Sequence, residues 1–337
     1  MARKNQLYHK IATIIRDYGH VRTAIILTGT NAGCRCFWHP DGRISCDSLD
    51  TQAFFDKWIL PNSIKSLEKI IIGGEDVLVE FLVKAPRLVI MGGGHVSLPL
   101  VSIGKMLGFY VIVADDRPEY ANRGRFPEAD EVFCMEPEEF KENIPDKANS
   151  YYIIVTRGHM YDEAYASHIL NYSADYIGMI GSKTKAAKTK GTLQECFSKE
   201  QVGYLHSPIG LDIGAKTPAE IAVSIFGEII RVKSMKKLHR LPEDVYNKLL
   251  YEDTKGVMVT VIEKKGSSPA GIGSRMLVLD DGLVLGTIGG GSLEHEAITR
   301  SKKLLRSSSI NCRLNEGGSL GMVCGGNIDV LFEKVGS

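Results

Sequence analysis

The sequence has almost no net charge: 41 Lys and Arg stand against 40 Asp and Glu, leaving +1 over 337 residues. A near-neutral chain offers no broad electrostatic case for nucleic acid or an anionic membrane as partner. It also lacks any apolar run of about 18 residues, so nothing in it is expected to span a bilayer. Residues 1–19 carry basic side chains without a continuous apolar stretch, and read as an amphipathic helix rather than a secretory signal. Cysteine is scattered: Cys34, Cys36, Cys46, Cys134, Cys196, Cys312 and Cys324 make one Cys-x-Cys pair and no Cys-x-x-Cys. That spacing predicts neither a disulfide framework nor a structural zinc site, and a reducing cytoplasm is the expected compartment. The full P-loop spacing is absent too, which leaves ATP hydrolysis without a motif.

What is present is ordinary globular composition, 44% hydrophobic and 24% charged, in a length that suits two or three domains of roughly 100–200 residues each. The clearest unit starts after Pro86. Arg87-Leu88-Val89-Ile90-Met91 is apolar, preceded by Pro and followed by glycines, as a strand buried on both faces requires. Gly92-Gly93-Gly94-His95-Val96-Ser97 then leads into residues 98–108, apolar at helical spacing with Gly108 as the stop. A second strand over 109–114 ends at Asp115-Asp116-Arg117-Pro118. Strand, glycine turn, helix, strand and an acid about 20 residues beyond the glycines make the dinucleotide-fold pattern. Further strands are expected at 131–134, 151–156 and 176–180, and such alternation implies a parallel doubly wound sheet. Thr217-Pro218-Ala219-Glu220 is a capping box with Pro in the first turn, opening a helix to Lys233. The central domain is bounded accordingly at 85–233.

The two ends of the chain look alike. Residues 33–44 align without gaps to 273–284, matching Gly, Arg and an Asp-Gly turn, Asp41-Gly42 in one and Asp281-Gly282 in the other. Each copy follows a helix and a strand, and each ends with a glycine pair before another strand, Gly73-Gly74 and Gly325-Gly326. Two related small α/β domains, 1–84 and 234–337, are therefore expected to flank the central one. The C-terminal copy carries Gly266-Ser267-Ser268-Pro269 and a second glycine run over 286–294. The N-terminal copy lacks both and has Ile72 where Cys324 would stand, so it is read as degenerate.

Several residue groups can carry chemistry. Gly92, Gly93, Gly94, His95 and Ser97 bring backbone N–H groups to a positive helix end, a setting for phosphate or pyrophosphate; a tight core turn is the alternative. Asp115 and Asp116 stand where an acid accepts from a ribose hydroxyl, or simply form a solvated turn. Arg157 and His159 follow a strand on the same carboxyl edge and can meet an anionic group or a metal oxo ligand. Gly181 and Ser182 form another anion-type turn. In the last domain Gly289, Gly290, Gly291 and Ser292 open a helix as a further anion site, with Glu294 beside them. Glu294, His295 and Glu296 face different ways on a helix, so no metal ligand set is assigned. Cys324 is a thiolate candidate for a soft metal or for sulfur, or a small buried residue at a strand entrance.

These stretches resemble the xanthine dehydrogenase accessory proteins, the XdhC/CoxI family that matures molybdenum hydroxylases. The resemblance rests on residues 88–97, 115–117, 156–159, 177–183, 206–215, 266–269, 286–294 and 322–326. It implies an α/β protein with a central Rossmann-like parallel-sheet domain, flanked by two CoxI-type domains of which the N-terminal one is degenerate. It further implies a cofactor-binding accessory protein rather than an enzyme. Such proteins bind molybdenum cofactor (molybdopterin, in mono- or dinucleotide form), assist its sulfuration and deliver it to an apo molybdenum hydroxylase. A cysteine desulfurase-type sulfurtransferase is the second implied partner. The chain departs from the pattern twice: the complete CoxI-type copy follows the dinucleotide fold instead of preceding it, and Ser292 stands where the family often has Cys. Two other classes stay open on the residues alone, an NAD(P)-dependent oxidoreductase and a structural docking subunit without ligand. The pairing of like domains also leaves a homodimer open.

Overall fold

Arg87–Met91, apolar after its first residue, is a strand suited to cover on both faces, and it lies inside a six-stranded sheet in the computed structural model. The structure describes residues 7–39, 41–57, 66–145, 149–235, 239–265, 271–307, 320–321 and 327–336. The chain divides into two units, Ala85–Lys236 and the combination of Met1–Lys84 with Lys237–Ser337.

The sheet of the first unit runs Leu205–His206, Tyr176–Met179, Ser150–Ile154, Arg87–Met91, Tyr110–Asp115, Glu131–Cys134, and every pairing is parallel. Counted along the chain this is the 3-2-1-4-5-6 order of a Rossmann fold. Alternate residues sort to opposite faces, as the pleat demands. Leu88 and Ile90 pack against Leu100, Ile225 and Phe226, while Val89 and Met91 pack against Tyr165 and Ile169. Each such buried side chain stabilises by about 1.5–3 kcal/mol. The strand order reverses between Arg87–Met91 and Ser150–Ile154, and there the carboxyl ends open a crevice. Helix Pro218–Ser234 starts as the capping box requires, with Thr217 and Glu220 bonded reciprocally. The second strand runs one residue past its apolar stretch, because Asp115 pairs with Cys134 in the ladder.

The second unit holds two antiparallel sheets of identical strand order. One runs Ile44–Cys46, Arg35–Trp38, His20–Ile26, Glu75–Val83, Glu68–Ile72. The other runs Val284–Gly286, Arg275–Leu279, Gly256–Lys265, Asn327–Val335, Leu320–Gly321. The registers match as well: Thr23 opposes Phe37 and Glu80, and Met258 opposes Leu277 and Glu333. Arg35 and Arg275 are then equivalent, facing Ile25 and Thr260. The copies differ beside these arginines. Arg35 Nη1 donates to Thr23 Oγ1 at 2.6 Å, but the position equivalent to Thr23 is Met258, and Arg275 Nη1 has no partner among the described residues. Among the described residues no helix is long and apolar enough to cross a membrane.

Candidate functional site

The first strand of the Rossmann-like sheet must turn sharply at its end. Gly92 has φ +112°, and a Cβ there would lie 2.5 Å from the Val155 carbonyl oxygen; at Gly93 a Cβ would lie 2.2 Å from that of Tyr120. Only glycine fits either position. Gly94 differs, since a Cβ there would meet nothing within 4 Å, so a ligand can approach the backbone. The turn is pinned from several sides. Gly92 N donates to Ala114 O at 2.7 Å, the buried Ser97 hydroxyl donates to Gly92 O, and Arg125 Nε donates to Gly93 O at 2.8 Å. Helix Ser97–Met106 begins at Val96, which supplies no capping side chain, and His95 is exposed. The positive helix end is therefore left for something else to complement.

Asp115, 4% exposed, accepts from Gly93 N at 2.7 Å, Arg117 N at 3.0 Å, Arg117 Nε at 2.8 Å and Arg117 Nη2 at 3.0 Å. Four donors fill the lone-pair positions of a carboxylate. Burial pushes its pKa up, but the Arg117 and Gly93 donors outweigh burial and hold it below the usual carboxylate range. Asp115 thus ties the glycine turn to the second strand. Its neighbour Asp116 moves the other way, raised by burial and by the charge of Asp115. Asp116 is met by Arg157 Nη2 at 3.4 Å and Arg117 Nε at 3.8 Å. The Arg117 guanidinium lies 3.7 Å over the Tyr120 ring, and that of Arg125 lies 5.0 Å from the same ring.

On the other side of the reversal point, Thr156 Oγ1 donates to Asp162 Oδ1 at 2.6 Å. Asp162 is fully buried and pairs with Lys185, which sits in the first turn of helix Lys183–Leu193. Ser182 caps that helix by accepting from Lys185 N at 3.2 Å. The turn at Gly181 and Ser182 is thereby tethered to the strand end at Thr156. Arg157, 61% exposed, is bonded only loosely to Asp116. His159 opens helix His159–Ile169, and its side chain lies outside the described residues. Gly92, Asp115, Thr156 and Gly181 therefore stand at the carboxyl ends of four adjacent strands, Asp115 as the last residue of its strand and the other three just beyond theirs.

The glycine turn of the second unit is built differently. Gly289, Gly290 and Gly291 all have positive φ and open helix Gly291–Arg306. The position an anion would take is filled from within. Glu294 Oε1 accepts from Ile288 N and Gly290 N at 3.0 Å each, and from the Thr287 hydroxyl. Burial pushes the Glu294 pKa up, but these donors prevail and hold it below the usual range. Ser292 is exposed, and Cys324 lies outside the described residues. No group of three or more His, Cys, Asp or Glu is placed to hold a metal among the described residues.

Sequence reasoning passed over Arg125, Tyr120, Lys185 and Glu228. Glu228 is buried, accepting from Tyr176 Oη at 2.6 Å and Gly210 N at 2.9 Å, with His206 Nδ1 at 3.1 Å. An acid inside the apolar stripe that includes Ile225 and Ile229 is the signal for it; the other three leave none.

A family model described as the XdhC Rossmann domain matches residues 88–229, and one described as the XdhC and CoxI family matches residues 249–311. The chain belongs to the XdhC/CoxI family. It is 32% identical over 158 residues to a probable xanthine dehydrogenase subunit of Bacillus subtilis, covering 47% of this chain and 46% of that protein. It is 30% identical over 166 residues to the uncharacterized Escherichia coli protein YqeB, covering 48% of this chain and 30% of that one. The chain thus matches less than half the length of these curated relatives. A crystal structure of a xanthine dehydrogenase from Bacillus halodurans shares the fold, with a TM-score of 0.55 at 23% identity over 68% of this chain and 66% of that one.

Proposed function

We propose that this XdhC/CoxI chain is an accessory protein for maturation of a xanthine dehydrogenase-type molybdenum hydroxylase, and that its central unit holds molybdenum cofactor by the phosphate or pyrophosphate end. Family membership and the name of the Bacillus subtilis relative support the role. The observation that carries the ligand reading is the open approach to Gly94 beside a helix end that no side chain caps. The charges nearby suit an anion: Asp115 is neutralised by Arg117, and Arg157 stands exposed at the next strand end. In this reading the turn at Gly92, Gly93, Gly94, His95 and Ser97 receives the phosphate. Asp115 keeps the turn in shape, and Asp116, with lone pairs to spare, accepts from a ligand hydroxyl. Arg157, His159, Gly181 and Ser182 flank the rest of the ligand. When bound, the cofactor supplies the redox centre that the hydroxylase needs; the chain's own residues bind, orient and shield it.

Residues 234–337 are read as the complete CoxI-type domain and 1–84 as its degenerate counterpart, alike in strand order but without the glycine turns. In the complete copy the turn at Gly289, Gly290 and Gly291, held in shape by Glu294, leaves the anionic end of the cofactor to the central unit, while Ser292 and Cys324 are assigned to the cofactor, Cys324 as the sulfur-handling thiol. The apo-hydroxylase and a cysteine desulfurase-type sulfurtransferase are the partners, in the cytoplasm. An NAD(P)-dependent oxidoreductase is the second reading, favoured by the strand order; the saturation of Asp115 leaves it only Asp116 as ribose acceptor.

The test is mass spectrometry of the small molecules that co-purify from a molybdenum-fed host, with Gly94→Asp alongside. A phosphorylated pterin on the wild type, missing from a variant that unfolds at the wild-type midpoint, is the expected result. Retention by Gly94→Asp would remove the turn from the site, and bound NAD(H) in place of pterin would select the oxidoreductase.

A further inference from the structure

The sheet built from the N-terminal segment carries a feature that its C-terminal counterpart does not. Cys36 and Cys46 stand directly opposite each other where Ile44–Cys46, the edge strand, pairs antiparallel with Arg35–Trp38. The equivalent positions of the other sheet are Met276 and Gly286. The neighbours of the cysteine pair settle its kind. Asp47 N donates to Arg35 O at 3.0 Å and His39 N donates to Arg43 O at 2.8 Å. Alternation along the ladder then makes Arg35 with Asp47, Phe37 with Ser45 and His39 with Arg43 the hydrogen-bonded pairs. Cys36 with Cys46 falls between two of them and is a non-hydrogen-bonded pair. Such pairs hold their Cα atoms about 4.5 Å apart, with the side chains drawn together on one face. That separation lies within the roughly 4.4–6.8 Å that a disulfide spans.

Both residues are free thiols, and they share one apolar cluster with Phe55, Val77 and Val79. Their access differs. Cys36 is fully buried; burial pushes its thiol up, and the adjoining Cys46 thiol adds to that shift. Cys46 is half-buried on the edge strand, where a small molecule reaches it first. We propose that Cys36 and Cys46 are a reversible disulfide site for hydroperoxides, with Cys46 as the thiol attacked first and Cys36 as the thiol that resolves it. The Cys46 sulfur takes one oxygen from hydrogen peroxide, giving a sulfenic acid and one water. The Cys36 sulfur then attacks the Cys46 sulfur; the S–O bond breaks, and the departing hydroxide leaves with the Cys36 proton as a second water. Peroxide is thus reduced to water while two thiols become one disulfide, and a dithiol reductant returns both by exchange. In a reducing compartment such a pair rests as thiols and closes only under oxidant. The site belongs to the flanking sheet, and its test is separate from that of any ligand of the central unit.

Treatment of the full chain with hydrogen peroxide, followed by alkylation, tryptic digestion and mass spectrometry, tests it. Cleavage after Arg22, Arg35, Arg43 and Lys57 places Cys34, Cys36 and Cys46 in three different peptides, 23–35, 36–43 and 44–57. The expected result is a linked pair of 36–43 with 44–57 that disappears on treatment with dithiothreitol. In Cys36→Ala the Cys46 sulfenic acid has no resolving thiol, so sulfinic and sulfonic acid at Cys46 should accumulate several-fold over wild type. Linkage of Cys46 to Cys34 instead, or equal over-oxidation of Cys46 with and without Cys36, overturns the proposal. If Cys36→Ala does not fold, the wild-type peptide map decides: the 36–43 to 44–57 linkage upholds the proposal, and its absence at peroxide levels that oxidise the exposed Cys134 and Cys196 refutes it.

Discussion

Asp115→Asn is the sharpest probe of the glycine turn. Asn keeps the shape of the side chain but puts an NH2 group where one carboxylate oxygen was. If Oδ2 is lost, Gly93 N and Arg117 Nη2 face a donor; if Oδ1 is lost, Arg117 N and Nε do. Either way two bonds go, and the remaining two lose their ionic partner. At about 1.5–3 kcal/mol for each hydrogen bond to a charged group, two cost roughly 3–6 kcal/mol. Breaking one side of a buried ion pair independently gives about 3–5 kcal/mol, so the expected loss is about 4 kcal/mol. The pH dependence carries a sign. Asp115 is held below the ordinary carboxylate range in the folded state, so its stabilisation is complete above the unfolded value of about 3.9 and is lost as pH falls through the folded one. Urea unfolding of wild type and variant, fitted with a common m-value, should give a constant gap from about pH 8 to about pH 5 that closes only in stronger acid. A gap below about 1 kcal/mol at neutral pH, or one that closes already near pH 6, would refute the locking role of this carboxylate.

Two further outcomes follow from local geometry. Gly93→Ala forces a Cβ to within 2.2 Å of the Tyr120 carbonyl oxygen, whereas Gly94→Ala meets nothing within 4 Å. The first should lower the melting temperature and abolish ligand binding, while the second stays within about 0.5 kcal/mol of wild type by thermal unfolding. In the flanking sheets, Thr23→Val removes the oxygen that accepts from Arg35 Nη1 at 2.6 Å and leaves a buried guanidinium N–H unpaired. A loss of about 1–3 kcal/mol in chemical denaturation is expected, and no measurable loss would mean that the arginine finds another acceptor.

Much of the central unit is legible in the sequence because its signals are local. Arg87–Met91 and Glu131–Cys134 lie where apolar runs bounded by turn residues place them, and the Thr217–Glu220 capping box closes within four residues. The edge location of Gly92, Asp115, Arg157 and Ser182 is legible too, since the end of a strand in a parallel sheet is its carboxyl edge. What could not be seen is how the polar atoms are spent. Asp115 looks like a free acceptor in sequence, yet its lone pairs go to Gly93, 22 residues earlier, and to Arg117. Glu294 looks like a ligand residue, yet it fills its own glycine turn. Hydrogen bonds of that kind depend on where two loops come to rest, and no periodicity records it.

By itself the sequence determined the parallel sheet, its glycine turn and the likeness of the two chain ends, because hydrophobic period, turn residues and gapless repeats are written along the chain. Only the tertiary structure decided that those two ends meet face to face, through Arg35 with Glu333 and Arg275 with Glu80, partners 298 and 195 residues apart. Nothing in the spacing of these four charges along the chain pairs them. Burial became tolerable only once the opposite charge arrived from the far end of the chain.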